Sequence, residues 1–351
     1  MSPLLQSSCT DQTAHDRNSV LTIILNYRTP QMTLQAAEAA LSEMEDLPGG
    51  LVIVENGSGD GSWEALQEGA ARRGWLDGNK VHLIRSDVNG GFGAGMNIGM
   101  KAGLPNGGAP GFYYLLNSDA FVEGSTISRL RDFLLQNPGA GLVGSFVHGT
   151  DDSPHRTAFR FPSIAGEFEM AARTGLFTRL LRHAVVAMDI PEAETQVDWT
   201  AGASLMIRRE VIEEIGGFDE TFFLYFEETD LCRRAARAGW RTHYVPTSTV
   251  AHIGSASTGM KSWDRTPPYW FDSRLHYFVK NHGTAYAALA TVARIGGSGL
   301  YCLRRLIQGK PAADAPYFVR DLTLHALRAM IRPKTSIRET RLHPPFPEEQ
   351  K

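Results

Sequence analysis

Two acidic positions in this sequence stand where carboxylates could do chemistry. Asp119 closes Gly111-Phe112-Tyr113-Tyr114-Leu115-Leu116-Asn117-Ser118-Asp119, an apolar run that turns polar over its last three residues. A short apolar run bounded in this way reads as a strand buried on both faces. In an open α/β sheet, ligands bind outside the carboxyl ends of the strands. A carboxylate there can hold a divalent cation, which commonly takes one or two carboxylates and fills its remaining positions with substrate phosphates. An aspartate in this place can equally do no more than turn the chain. The second position is Glu227-Glu228-Thr229-Asp230 at a helix start. Acids in a first turn favour the helix dipole without any catalytic meaning. Here the spacing separates them. Glu228 shares a face with Leu231, Cys232 and Ala235, whereas Glu227 and Asp230 are expected to point away, with Asp230 and Arg234 forming an exposed pair worth about 0.3–0.5 kcal/mol. A half-buried Glu228 would have a raised pKa, which suits a general base.

Elements that would position these groups alternate along the chain. Strands are expected over 19–25, 51–54, 81–84, 112–116 and 142–147. Helices are expected over 33–44, 63–73, 94–102 and 126–136. Strand–helix alternation implies right-handed crossovers and a mostly parallel sheet. Asn26, Glu55, Asn56 and Asp119 would then share one rim. The stretch 150–196 is irregular, with short helices expected around 165–181. Strands return near 197–208, 240–245 and 249–252, the last ending at His252 beside a Gly/Ser loop. Beyond Trp263 the chain reads as helical and basic.

The totals set limits. The 351 residues suit one large α/β domain with an extension, or two domains. A net charge of −3 gives no footprint for nucleic acid. Cys9, Cys232 and Cys302 are widely spaced, which argues against a disulfide framework or structural zinc and fits a reducing compartment. The first 18 residues read as a loose polar tail without a signal-peptide core. No run approaches the ~20 apolar residues of a membrane span. Charge is uneven, however: residues 294–341 carry +7, interleaved with Leu303, Leu306, Ile307, Phe318, Leu322, Leu324 and Leu327. Basic amphipathic helices lie in a membrane interface, so contact with an anionic surface is expected here. Gly90-Gly91-Phe92-Gly93-Ala94-Gly95 fails the G-x-G-x-x-G dinucleotide pattern and follows the third strand instead of the first. That counts against a dehydrogenase.

Taken in order, several motifs resemble glycosyltransferase family 2, most closely its rhamnosyltransferase-like members. They are Ile24-Leu25-Asn26-Tyr27, Val54-Glu55-Asn56-Gly57-Ser58, Asn89-x-Gly91-Phe92-x-x-Gly95-x-Asn97-x-Gly99, Leu115-Leu116-Asn117-Ser118-Asp119, Gly216-Gly217-Phe218-Asp219-Glu220, Phe226-Glu227-Glu228-Thr229-Asp230 and His252-x-Gly254-Ser255. The resemblance implies a GT-A fold over 19–262, with a nucleotide-binding half (19–147) and an acceptor-side half (148–262), followed by a helical basic extension over 263–345.

It also implies an inverting transfer of a sugar, L-rhamnose by analogy, from a dTDP- or UDP-sugar to a glycan or lipid-linked acceptor in cell-surface polysaccharide synthesis. The location implied is cytoplasmic, at the inner face of the membrane. Asp119 and His252 would hold Mg²⁺ or Mn²⁺. Glu228 would be the base, one methylene longer than the family's Asp. Nucleotide-sugar contacts would come from Asn26, Tyr27, Arg28, Glu55, Asn89, Gly93, Asn97, Asn117, Asp119, Trp199 and Gly202. Asn117 stands where the family's first Asp of Asp-x-Asp is usual. Two alternatives stay open at this point: another nucleotide-using α/β transferase, and an inactive sugar-nucleotide-binding subunit.

Overall fold

The five runs expected as strands between 19 and 147 each form one, whereas 197–208 breaks into three short strands and 240–245 and 249–252 join as one. The computed structural model describes residues 17–254, 263–312 and 314–331, which divide into two units. The first holds 17–159, 187–220 and 227–254; the second holds 160–186, 221–226 and the described residues from 263 onward. The N-terminal tail up to 16, the loop residues Ser255 and Ser257, and the extension beyond 331 lie outside the described residues.

In the first unit, strands β1 (Val20–Asn26), β2 (Gly49–Asn56), β3 (Val81–Ser86) and β4 (Phe112–Asn117) alternate with helices α1 (Pro30–Glu43), α2 (Ser62–Arg72) and α3 (Phe92–Ala102). Then come β5 (Ala120–Glu123), α4 (Thr126–Gln136), β6 (Ala140–His148), β7 (Pro154–His155) and β8 (Ala158–Phe159). After the segment that joins the second unit, the chain continues as β9 (Thr195–Val197), β10 (Trp199–Thr200), β11 (Ser204–Arg208), helix Arg209–Ile215, helix Glu227–Arg237 and β12 (Arg241–His252).

The main sheet runs β3-β2-β1-β4-β11-β6-β12-β5. It is parallel across β3-β2-β1-β4, as the alternation predicts, and mixed beyond, because β11 runs against both β4 and β6 while β12 runs with β6 and against β5. The parallel block is in register at its carboxyl end: Asn26 lies beside Glu55, and Leu25 beside Asn117. One rim therefore collects these residues. Its apolar layer is continuous, with Ile24, Ile53, Tyr114, Leu116 and Met206 in one buried cluster with Leu34 and Ala37 of α1.

Helix boundaries shift for local reasons. Pro30 occupies the first turn of α1, where a missing N–H costs nothing, so the helix starts three residues before the apolar spacing suggests. The glycines of α3 are there for packing. A Cβ on Gly99 would sit 2.4 Å from Ile23 Cγ2, and one on Gly95 would sit 2.2 Å from Leu25 Cδ1. The helix lies on β1 at a distance that only glycine allows.

The second unit comprises α5 (Ile164–Ala172), α6 (Gly175–Leu180), α9 (Pro268–His282), α10 (Thr284–Gln308) and α11 (Phe318–Ile331); the two helices of the first unit, Arg209–Ile215 and Glu227–Arg237, are α7 and α8. Ser163 and Thr174 cap α5 and α6, accepting from the Gly166 and Phe177 amides at 3.1 and 3.2 Å. The irregular stretch thus contains the expected short helices, but 160–186 packs with the C-terminal helices. The tie is explicit: Arg274 of α9 donates from Nε and Nη2 to Glu167 Oε2 of α5, at 3.2 and 2.8 Å, and from Nη1 to Thr291 of α10 at 3.1 Å. Phe222, Tyr277, Phe278, Ala287 and Ala290 form the apolar core beside it.

The basic extension is less uniformly a surface than its sequence predicts. Arg294 is buried and within 3.8 Å of Asp314, while Phe318 and Leu322 are buried against Phe271. Packing of α11 on α9 withdraws them. Among the described residues no helix is long and apolar enough to cross a membrane.

The Arg274–Glu167 pair is almost fully enclosed, at 2% and 5% side-chain exposure. Arg274→Met should cost roughly 3–5 kcal/mol, since it leaves a carboxylate buried without its partner. The double variant Glu167→Leu/Arg274→Met should regain most of that loss. Urea denaturation of the three variants checks this; a double variant no more stable than the single one would contradict it.

Candidate active site

The loops after β1, β2 and β3 are laced together by small polar side chains. Ser58 Oγ accepts from the Arg28 amide at 3.0 Å and from Asn26 Nδ2 at 3.5 Å, while the Ser58 amide donates to Glu55 Oε1 at 2.8 Å. Asn56 Nδ2 donates to Asn89 Oδ1 at 3.0 Å and to the Gly91 carbonyl at 3.2 Å. Asn89 Oδ1 also accepts from the Gly91 amide at 2.9 Å, fixing the entry to α3. Arg28 is held at φ +57° and lies over the Tyr27 ring at 5.2 Å, with its guanidinium exposed. A cation and an aromatic ring are therefore presented at the end of β1.

The metal-ligand candidates meet through strand register. Asp119 links β4 to β5, and β5 pairs antiparallel with β12 so that Ala120 faces His252. His252 Nε2 consequently lies 3.1 Å from Asp119 Oδ1 and 3.5 Å from Asn117 Nδ2, while the Ile253 amide donates to the Asp119 carbonyl at 3.1 Å. The His155 ring on β7 stands edge-on to His252, with centroids 6.5 Å apart. A carboxylate oxygen and an imidazole nitrogen this close fit two ligands of a divalent ion, leaving the other positions to phosphate oxygens and water. Among the described residues no group of three or more His, Cys, Asp or Glu is gathered as a metal cage.

On the other side of β4 stands the base candidate. The Asn117 amide donates to the Ala203 carbonyl at 3.1 Å, and the neighbouring Gly202 amide donates to the Glu228 carboxylate. Glu228 is half-buried, and its Oε2 is enclosed without a hydrogen-bond partner. Burial pushes its pKa up to about 7, against hydrogen bonds from the Thr229 and Gly202 amides that act to lower it. Glu227 is raised well above the usual range by deeper burial and by the Glu228 charge. The chain enters α8 through two consecutive left-handed residues, Tyr225 and Phe226, each at φ +69°. For bulky side chains this backbone costs roughly 1–3 kcal/mol per residue and is found where function over-determines it.

The structure corrects the expected face of α8. Glu227 and Asp230 do not point to solvent; Asp230 is 0% exposed. Its partner Arg234, bonded Nε to Oδ2 at 2.9 Å, also donates to the Ile215 and Gly217 carbonyls at 2.8 and 2.7 Å. Glu227, Thr229, Asp230, Leu231 and Cys232 are all buried and α8 packs against α3, α7, β10 and β12, so a single stripe does not describe its first turns. The Asp230–Arg234 pair is a clasp between α8 and the loop after α7.

Several expected nucleotide-sugar contacts are committed inside the protein instead. Asn26 is fully buried, with Oδ1 accepting from Thr33 at 2.8 Å. Asn97 Nδ2 donates to the Phe218 carbonyl and to Glu220 Oε1, both at 2.9 Å, and its Oδ1 accepts from the Phe218 amide at 2.8 Å. Gly93 lacks a Cβ because Phe218 Cβ would lie 2.8 Å from it. Gly202 serves Glu228, and Trp199 stacks on Phe159 with centroids 4.1 Å apart. Tyr27, Arg28, Glu55, Asn89, Asn117 and Asp119 remain along the rim. Asn56, expected at this rim as a ligand contact, instead holds the rim together with Ser58, and Arg234 looked like half of a surface pair.

A family model described as Glycosyltransferase like family 2 matches residues 19–273. The chain belongs to that family. This glycosyltransferase is 27% identical over 322 residues to N-acetylglucosaminyl-diphospho-decaprenol L-rhamnosyltransferase of Mycobacterium tuberculosis, covering 89% of this chain and 97% of the relative. It is 23% identical over 267 residues to dTDP-rhamnosyl transferase RfbF of Shigella flexneri, covering 75% and 78%. Among solved structures, mannosyltransferase PcManGT of Pyrobaculum calidifontis, in complex with GDP-Man and Mn²⁺, superposes with a TM-score of 0.53 at 15% identity, covering 89% of this chain and 79% of that one. GalNAc-T7 with UDP, GalNAc and Mn²⁺ gives 0.54 at 15% identity, covering 88% of this chain and only 54% of that one. The glycosyltransferase therefore has the GT-A fold.

Burial of Glu228 sets a signed stability effect. The unfolded carboxyl titrates near its usual 4.5 and the folded one at about 7. Between those values the folded glycosyltransferase keeps a proton that the unfolded chain has released, so stability falls as pH rises through this window. Glu228→Gln should raise Tm relative to wild type above about pH 7 and change it little below about pH 4.5. Asp230→Asn should instead destabilise, by about 3 kcal/mol, at neutral pH. Thermal melts of the two variants across pH check both signs.

Proposed function

We propose that this glycosyltransferase moves a sugar, L-rhamnose foremost, from a dTDP- or UDP-linked donor to a hydroxyl of a glycan or lipid-linked acceptor, with inversion. The two rhamnosyltransferase relatives support the sugar. The decaprenol named for the mycobacterial one supports the lipid-linked acceptor. The observation that carries the mechanism is the placement of Glu228: the Asn117 amide is bonded to the Ala203 carbonyl across the end of β4, and the adjacent Gly202 amide lies near enough to the Glu228 carboxylate to oppose the rise of its pKa. It ties a would-be base to the strand end that bears Asp119.

In a single displacement the acceptor oxygen attacks the anomeric carbon as the bond to the donor's phosphate oxygen breaks, and the nucleoside diphosphate leaves with that electron pair. Glu228 takes the acceptor proton on its half-buried carboxylate. The nearby Gly202 and Thr229 amides favour the charged form of the carboxylate. Burial and the Glu228 charge both push the Glu227 carboxyl upward, favouring its neutral form beside the base. Asp119 and His252 would hold Mg²⁺ or Mn²⁺, which supplies positive charge for the departing diphosphate. The exposed Arg28 stands where it can reach a phosphate, and Glu55, with Oε1 spent on Ser58, keeps its other oxygen for the nucleoside.

Donor hydrolysis tests this without knowledge of the acceptor. Nucleotide-sugars are screened with Mg²⁺, Mn²⁺ or excess chelator; turnover should appear with a dTDP- or UDP-sugar and vanish with chelator and in Asp119→Ala. Full activity in either case would overturn the metal assignment.

With an accepting substrate, Glu228→Gln should lower kcat by a factor on the order of 10²–10⁴ while leaving donor affinity nearly unchanged. The wild-type rate should rise through about pH 7 and level off above it, as the base ionises. A flat profile with an active Glu228→Gln would remove Glu228 from the chemistry.

A further inference from the structure

One face of the second unit is both apolar and basic. Along α10 the stripe Leu289, Val292, Gly296, Gly299, Leu303 and Leu306, spaced alternately by three and four residues, is exposed. The opposite stripe, Ala287, Ala290, Arg294 and Gly297 among it, is buried, with a Cβ on Gly297 meeting the Phe168 carbonyl of α5 at 2.6 Å. The exposed stripe ends beside α6. Arg304 Nη1 donates to the Arg173 carbonyl at 3.0 Å, and the Arg173 guanidinium lies 5.8 Å from the Tyr301 ring centroid, just ahead of α6. Here Leu176, Leu180, Leu303, Leu306 and Ile307 are between 56% and 84% exposed. Scattered exposed leucines are ordinary; five on two adjacent helix segments are not.

The charge carried by the two segments is of one sign, and the neighbouring Asp314 is paired with Arg173 at 2.9 Å. Residues 170–186 contain no Asp or Glu, and neither do residues 284–310. Arg179, Arg182, Arg305 and Lys310 are exposed there. We infer that α6 and the C-terminal part of α10 form a docking surface for an anionic lipid bilayer, the leucines entering the interface and the bases meeting lipid phosphates. Charge complementarity chooses this occupant. About a two-fold axis, a second copy would bring the same bases face to face. The glycines in the stripe would also give a coiled-coil seam no knobs to interlock. The surface lies in the plane of the membrane and does not span it.

The test is sedimentation of the full chain with phosphatidylcholine vesicles, with and without phosphatidylglycerol, across a salt series. The vesicles carry no acceptor, so the result is independent of the donor and acceptor assigned above. Wild type should sediment with the anionic vesicles only and be released as salt rises. Leu306→Glu/Ile307→Glu and Arg179→Glu/Arg182→Glu should each reduce partitioning about tenfold or more. Both doubles change exposed side chains and should keep wild-type donor hydrolysis and Tm. The proposal is overturned if wild type stays in the supernatant, if it binds neutral vesicles equally, or if both doubles bind like wild type. It is also overturned if sedimentation equilibrium finds a dimer that Leu306→Glu/Ile307→Glu splits while vesicle binding persists, which would give the face to a second copy.

Discussion

Strand β4 is the constraint on which the active-site side of this protein depends. It runs parallel to β1 on one side and antiparallel to β11 on the other, and its apolar residues leave it no freedom to slide. A shift of one residue would swap its two buried faces, driving Tyr114 and Leu116 into the space packed for Tyr113 and Leu115. With its register fixed, its end is fixed too, and Asn117 and Asp119 are delivered to a defined place. The antiparallel neighbour delivers Gly202 and Ala203 to the same place from the opposite direction. A parallel sheet alone would present one set of strand ends. The reversal at β11 brings a second set of backbone donors to the rim, and the Glu228 carboxylate hangs from one of them.

Much of this rim was legible in the sequence. Short β-branched runs ending in polar residues named the strands, and alternation with helices named the parallel block. The rest depended on contacts that no local pattern encodes. His252 reaches Asp119 only because β12 pairs backwards with β5, more than a hundred residues away in sequence. Asp230 reads as a surface acid from its spacing, yet it is buried where α8 packs against α3, α7, β10 and β12. Asn26 and Asn97 are polar residues at the right rim whose amides turn inward. Polarity at a strand end says that a side chain has hydrogen bonds to make, not whether a ligand or the protein will make them.

The two units also divide the labour of charge. In the first, acidic groups are sequestered and their pKa values lifted, as at Glu227 and Glu228. In the second, Glu167 is paired with Arg274, Asp314 with Arg173, and Asp321 with Arg265 and Arg320. Its remaining bases carry the surface. A total charge near zero conceals both arrangements.

The left-handed pair Tyr225–Phe226 bears on how this protein would respond to selection. Glycine or asparagine at either position would relax the backbone and stiffen the fold against heat. A search for thermostable variants would therefore be drawn to these two sites early. The same change would loosen the entry to α8, whose next two residues are Glu227 and Glu228. Heat tolerance gained there trades directly against the aim of the carboxylate, so the positions that look most improvable by melting temperature are ones a directed-evolution screen should read out by turnover.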